Sequence, residues 1–145
     1  MELIGKHIAV TGGAGGIGTL LCAALREKGA IVGVVDRGGV DTLVADLSTI
    51  TGIVEAGQKI AAKKPDILIN LAGLTYFGEF EKESPEHVSA LMHVNLIAPM
   101  LLSQAVIPGM KQRAKGMIVN IGSVFGAIPF AYFAAYSTSK AGIRG

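Results

Sequence analysis

Short apolar runs alternate along this chain with stretches whose apolar residues recur at helical intervals. Lys6 to Thr11 (KHIAVT) is a compact apolar run closed by glycines. From Gly16 to Lys28 the positions Ile17, Leu20, Leu21 and Leu25 share one helical face until Gly29 stops the pattern. This predicts strand, tight turn and helix. Ile31 to Val35 is rich in β-branched residues and ends at Asp36, and after Arg37-Gly38-Gly39 a further short strand is expected over Thr42 to Ala45. Too little chain separates these two strands for the usual crossover helix. Thr51 is placed to cap a helix whose last turn carries Lys63 and Lys64, with Pro65 just beyond, and Ile67 to Ile69 resumes the strand pattern. Ser84-Pro85-Glu86 supplies the N-cap, first-position proline and early acid of another helix, which runs toward Gly109 with a bend expected at Pro99. Met117 to Ile121 is a last buried strand. Strands alternating with helices pair in parallel through right-handed crossovers, so the expected fold is one α/β domain over residues 1–145, a doubly wound parallel sheet covered on both faces.

Composition narrows the classes without changing that picture. Half of the 145 residues are apolar, enough for a single core. Thirteen basic residues against eleven acidic ones leave a formal charge of +2, which gives no footprint for nucleic acid or an anionic membrane. The single cysteine, Cys22, has no partner for a disulfide or a zinc site and is expected in the core beside Leu21, Ala23 and Ala24. His7, His87 and His93 share no metal-ligand spacing, so no metal site is expected. Met1 to Val10 enters a strand pattern with Glu2 and Lys6 rather than the apolar centre of a leader, and the cytoplasm is the expected location. Met117 to Ser139 is uncharged and long enough to span a bilayer. It contains Asn120, Gly122, Ser123, Gly126, Pro129 and a polar cluster from Tyr136 to Ser139, and so reads as strand, loop and helix start.

Candidate chemistry begins in the first turn. Thr11-Gly12-Gly13-Ala14-Gly15-Gly16-Ile17-Gly18 lies between strand and helix, where amides at the helix N-terminus can meet a pyrophosphate. Two registers fit: GxGxxG at Gly13, Gly15 and Gly18, or GxxxGxG at Gly12, Gly16 and Gly18. No Gly-Lys-Ser/Thr follows, which argues against a nucleoside triphosphatase. Asp36 ends the second strand where a carboxylate accepts bonds from adenosine ribose hydroxyls and repels a 2′-phosphate. Arg37 beside it can instead accommodate that phosphate, so NAD is favoured over NADP without excluding it.

Tyr136 and Lys140 are four residues apart and project from one helix face. A nearby fixed cation favours an ionised phenol, which suits Tyr136 to exchange a proton with a substrate oxygen. Ser123, at the carboxyl end of the last strand, lies where open α/β sheets bind ligands and is placed to bond the same oxygen.

Together TGGAGGIG, Asp36, Asp46-Leu47, Asn70-Leu71-Ala72-Gly73, Asn95, Ser123 and Tyr136 to Lys140 resemble the short-chain dehydrogenase/reductases, in the same order and over essentially the whole chain. The resemblance implies a Rossmann fold and selects the GxxxGxG register. It places Thr11, Gly12, Gly16, Ile17 and Gly18 at the dinucleotide, Asp36 and Arg37 at the ribose, and Asp46 and Leu47 by the adenine. Asn70, Ala72 and Gly73 would border the cofactor further along. It further implies a catalytic set of Asn95, Ser123, Tyr136 and Lys140, with Asn95 holding a water in a proton relay to Lys140, and Lys140 also bonding the nicotinamide ribose. Tyr136 thus counts among both catalytic and cofactor residues. Two departures stand out: Leu71 occupies the place of a second asparagine, and the sequence stops before the further strands and substrate-binding loop of the family pattern. Residues 1–145 alone are therefore expected to turn over little substrate.

The leading expectation is an enzyme that transfers hydride between NAD and a small secondary alcohol or ketone, homo-oligomeric when complete. The alternatives are an NADP-dependent ketone reductase and a non-catalytic dinucleotide-binding module. Phe125, Phe130, Tyr132 and Phe133 have a better claim to line an apolar pocket than Tyr76, Phe77 and Phe80, for which loop packing is at least as good an account.

Overall fold

In the computed structural model, which describes residues 2–144, the apolar runs become parallel strands β1 (His7–Thr11), β2 (Ile31–Asp36), β3 (Thr42–Val44), β4 (Ile67–Asn70) and β5 (Met117–Asn120). Their order in the sheet is β3-β2-β1-β4-β5, with Ile8 opposite both Val32 and Ile67. Helix α1 (Gly16–Glu27) joins β1 to β2, and α2 (Ile50–Ala62) joins β3 to β4. Helices α3 (Pro85–Met92) and α4 (Ala98–Gln112) lie between β4 and β5, and α5 (Ala134–Gly142) follows β5. This is the doubly wound α/β sheet that the alternation implied. Successive strand residues face opposite sides and both sides are covered, so the strands are apolar throughout rather than alternating. Ile8, Val10, Val34, Ile67 and Ile69 pack with Cys22 and Ala30 on one face. Ala9, Val35 and Leu68 pack on the other with Ile53, Ala56 and Ile60 of α2 and with Ala98, Leu102, Val106 and Met110 of α4. Helices α2 and α4 approach so closely that a Cβ on Gly57 would stand 3.0 Å from the Ala105 Cβ.

Strands β2 and β3 pair in parallel with no helix between them. Val34 lies opposite Thr42, so the chain retraces only two residues of strand, about 7 Å. Gly39 at φ 124° and Asp41 at φ 52° make that short return.

Three boundaries differ from the sequence reading. Thr49, not Thr51, caps α2, its Oγ1 accepting from the Gly52 N–H at 3.1 Å. The cap is fixed by contacts within residues 46–52: Thr49 bonds Gly52, and Gly52 lies against the Asp46 carbonyl with no room for a side chain. The helix after β4 does not end at Gly109 but continues to Gln112, with Ala114 at φ 51° just beyond. Its irregularity also precedes Pro99, as a π-helical turn over His93–Ile97. Proline lacks the N–H that an α-helix would direct to the carbonyl of Asn95, and its ring crowds that carbonyl, so the preceding turn widens.

The continuous helical stretch Pro85–Gln112 is long and apolar enough to cross a membrane by length and composition. Leu91, Val94, Ala98, Leu102 and Val106 are buried within the domain at helical spacing. The uncharged Met117 to Ser139 stretch, in contrast, divides into β5, a single 3₁₀ turn, loop and the start of α5.

Leu102 is fully buried between helix and sheet. Leu102→Ala should lower stability by about 2–5 kcal/mol, read as a lower urea midpoint at unchanged slope. Leu20→Ala on the exposed face of α1 should stay within about 0.5 kcal/mol of the parent.

Candidate active site

The first turn is built by close approaches. Gly12 adopts φ +71°, and a Cβ there would stand 2.7 Å from the Ala72 Cα, while a Cβ on Gly18 would strike the Gly12 carbonyl. Gly13 faces inward instead, where a Cβ would meet Val34 at 2.8 Å and the Cys22 sulfur at 3.1 Å. Gly16 faces open space. Gly12, Gly16 and Gly18 line a cleft of about 470 Å³ and Gly13 does not, so the geometry selects the GxxxGxG register. Gly15 caps α1 without a side-chain bond and no acid occupies the first turn, which leaves the leading amides of the helix free for an anion.

The cleft also receives Ile17, Asp36, Arg37, Asp46, Leu47, Ala72 and Gly73 from the expected set. The Asp36 carboxylate is fixed at its edge, Oδ2 accepting from the Ala14 N–H at 3.0 Å and Oδ1 from the Arg37 N–H at 2.7 Å. Each oxygen keeps a free lone pair for a ribose hydroxyl. Asp46 Oδ1 accepts from both the hydroxyl and the N–H of Ser48, at 2.7 and 2.9 Å. These bonds, the hydroxyl first, hold its carboxyl below the usual aspartate range.

Thr11 and Asn70 support the cleft rather than line it. Thr11 is buried, and its Oγ1 accepts from the N–H groups of Leu71 and Ala72, both at 3.1 Å. Asn70 is also buried, and its Nδ2 donates to Asn120 Oδ1 on β5 at 2.8 Å. The second asparagine that Leu71 replaces is therefore not needed to tie β4 to its neighbours, because Thr11 and the Asn70–Asn120 pair do so.

Tyr136 and Lys140 lie outside the 470 Å³ cleft, on α5, whose N-terminal turn begins at Ala134. Lys140 is 6% exposed, and its Nζ donates to the Ile121 carbonyl at 2.8 Å and stands 6.0 Å from the Tyr136 ring centroid. Burial lowers its pKa from the ordinary lysine value. Ser123 caps the 3₁₀ turn Val124–Gly126, its Oγ accepting from the Phe125 N–H at 3.2 Å. That bond uses an acceptor lone pair and leaves the Ser123 O–H free to donate.

Asn95 joins the two regions. It is 1% exposed; its Oδ1 accepts from the Leu74 N–H at 2.8 Å, and its Nδ2 donates to the Leu74 carbonyl at 2.8 Å and to Ser139 Oγ at 3.0 Å. The side chain thereby clips the cleft-lining loop at Leu74 to the helix of Tyr136 and Lys140. Both hydrogens of the Asn95 side-chain amide are thus committed to protein partners. Pro99, four residues on, has no N–H to give the Asn95 main-chain carbonyl an α-helical bond.

The sequence reading missed Gly15, Val35, Ala45, Ser48, Leu71, Leu74 and Val94 in the cleft wall. Ser48 carried a local signal, as the residue after Asp46-Leu47 able to turn back on the acid. Leu74 carried none, since its place depends on Asn95, far along the chain. Of the histidines, His87 Nδ1 meets Glu83 Oε1 at 2.7 Å, and the Nδ1 of His93 lies 2.8 Å from the Ser89 carbonyl.

A phosphate-ready helix end, a carboxylate at the tip of β2 and a crevice at the carboxyl ends of β1 and β4 define a Rossmann-type dinucleotide-binding protein. A model of the short chain dehydrogenase family matches residues 6–145, and the chain belongs to that family. It is 32% identical to a 3-ketodihydrosphingosine reductase of Bacteroides thetaiotaomicron, over 95% of this chain and 54% of that protein. Among solved structures, a metagenomic short-chain oxidoreductase in complex with NADP superposes with TM-score 0.91 at 32% identity, covering all of this chain and 73% of the other. A 4-hydroxyisoleucine dehydrogenase complexed with NADH and succinate matches with TM-score 0.86 at 32% identity, covering 94% of this chain and 67% of the other. The chain spans about half the length of the curated relatives it matches.

Because Gly16 faces open space in the cleft, Gly16→Val should fold with an unchanged unfolding midpoint yet lose dinucleotide affinity by at least about tenfold. Titration of intrinsic or cofactor fluorescence measures the affinity, and circular dichroism measures the fold.

Proposed function

We propose that the protein carrying this chain is an NAD-dependent oxidoreductase that interconverts a secondary alcohol and a ketone, with Tyr136 as its acid/base. The observation that carries this reading is the Asn95 clip, which fastens the end of the dinucleotide cleft at Leu74 to the helix bearing Tyr136 and Lys140. The nicotinamide dinucleotide, when bound, accepts hydride from the alcohol carbon or donates it to the ketone. Gly12, Gly16 and Gly18 hold its pyrophosphate at the α1 amides, and Asp36 receives the adenosine ribose. Ser123, with its O–H free, donates to the substrate oxygen. Tyr136 gives its phenolic proton to that oxygen as the ketone is reduced and takes it back in the reverse direction. The Lys140 cation stabilises the phenolate that forms, and its lowered pKa eases passage of a proton onward. Asn95, its side-chain amide already engaged, would hold the relay water at its main-chain carbonyl, for which Pro99 supplies no α-helical N–H.

A second reading, NADP dependence, draws on the exposed Arg37 next to Asp36 and on the relative that holds NADP. The bonds that fix Asp36 at the cleft edge favour NAD, since a 2′-phosphate would face an immobilised carboxylate. The exposed Met100 and Ile107 on the outer side of α4 support assembly as a homo-oligomer.

Tyr136→Phe should lower kcat by about 10² to 10⁴ while dinucleotide affinity is retained, measured by steady-state kinetics at saturating cofactor beside a binding titration. Comparison of specificity constants should show NAD ahead of NADP, and Asp36→Ala should narrow the gap. A clear NADP preference in the parent would assign the ribose site to Arg37.

A further inference from the structure

Tyr136 stands at one end of an aromatic cluster that lies outside both cores. Phe125 meets it edge-on, with centroids 6.2 Å apart at 87°, and Phe133 approaches it at 6.1 Å. Phe125 contacts Phe133 at 4.7 Å and Phe130 at 5.0 Å. From the loop after β4, Phe77 closes on Phe133 at 5.1 Å and on Tyr132 at 5.6 Å. Phe77, Phe130 and Tyr132 are 68%, 57% and 55% exposed, so their rings present open faces beside Tyr136 rather than filling either core. The two loops are tied, because the Gly78 N–H donates to the Tyr132 carbonyl at 3.0 Å. Tyr132 holds φ at 68°, a left-handed conformation that a bulky residue adopts only when its surroundings impose it, and such residues gather at ligand sites.

The cluster is joined to the chemistry through Phe125, whose N–H bonds Ser123 Oγ while its ring abuts Tyr136. The segment from Met117 to Ser139 that supplies Phe125, Phe130, Tyr132 and Phe133 contains no charged residue. A ring placed beside Tyr136 would gain edge and face contacts with these aromatic side chains that an aliphatic group of similar size would not. We infer that these rings form the substrate's apolar subsite and select a ketone or secondary alcohol bearing an aromatic group next to the reacting carbon. This rests on the dehydrogenase reading above.

The test measures specificity constants of the complete protein, with reduced dinucleotide, for an aryl methyl ketone, a short aliphatic methyl ketone and a 2-keto acid. The aryl ketone should lead both others by about tenfold or more. Phe77→Ala and Phe130→Ala alter exposed rings, and each should reduce the aryl-to-aliphatic ratio by about fivefold, with dinucleotide binding measured in each preparation to show an intact cleft. Equal use of the three ketones, preference for the keto acid, or a ratio unmoved in both variants would overturn this inference and leave the dehydrogenase reading standing. No turnover of any of them by a protein that binds the dinucleotide would overturn both.

Discussion

The Thr11 hydroxyl at the carboxyl end of β1 accepts two hydrogen bonds, from the N–H groups of Leu71 and Ala72, and the rest of the site depends on that junction. It draws the turn after β4 against the turn after β1, and Gly12 then passes so near Ala72 that no side chain fits between them. Strand order reverses at this point, with β2 on one side of β1 and β4 on the other, and the loops diverge above the sheet to leave a crevice. The free amides of α1 open into it from one side, and Asp36 stands at the tip of β2. Two apolar cores, one on each face, hold the strands in place beneath it.

The second half of the site is fastened by a different device. Asn95 sits in the π-helical turn before Pro99 and spends its side chain on Leu74 and Ser139. Buried amides are in the large majority hydrogen-bonded, and here the partners belong to the cleft loop and to α5. Lys140, bound to the Ile121 carbonyl, fixes the same helix to the end of β5. The cleft and the helix carrying Tyr136 and Lys140 are thereby held as one unit, and the aromatic loops extend it outward from Tyr136.

Much of this was legible in the sequence because it is local. The period of the apolar positions determined strands and helices, and the glycines between β1 and α1 announced a tight turn. The place of Asp36 at a strand end, the one-turn spacing of Tyr136 and Lys140, and the core position of Cys22 follow equally from short-range pattern. Local pattern left two glycine registers open and the family resemblance chose one; the tertiary structure gives the physical reason, because Gly13 is surrounded by Val34 and Cys22 and Gly16 by open cleft. It also showed the buried Thr11 and Asn70 as supports beneath the cleft rather than part of its wall. The role of Asn95 and the inclusion of Leu74 were decided there too. Local spacing specifies which residues can share a face, whereas a buried hydrogen bond between distant segments exists only once the strands beneath them are packed.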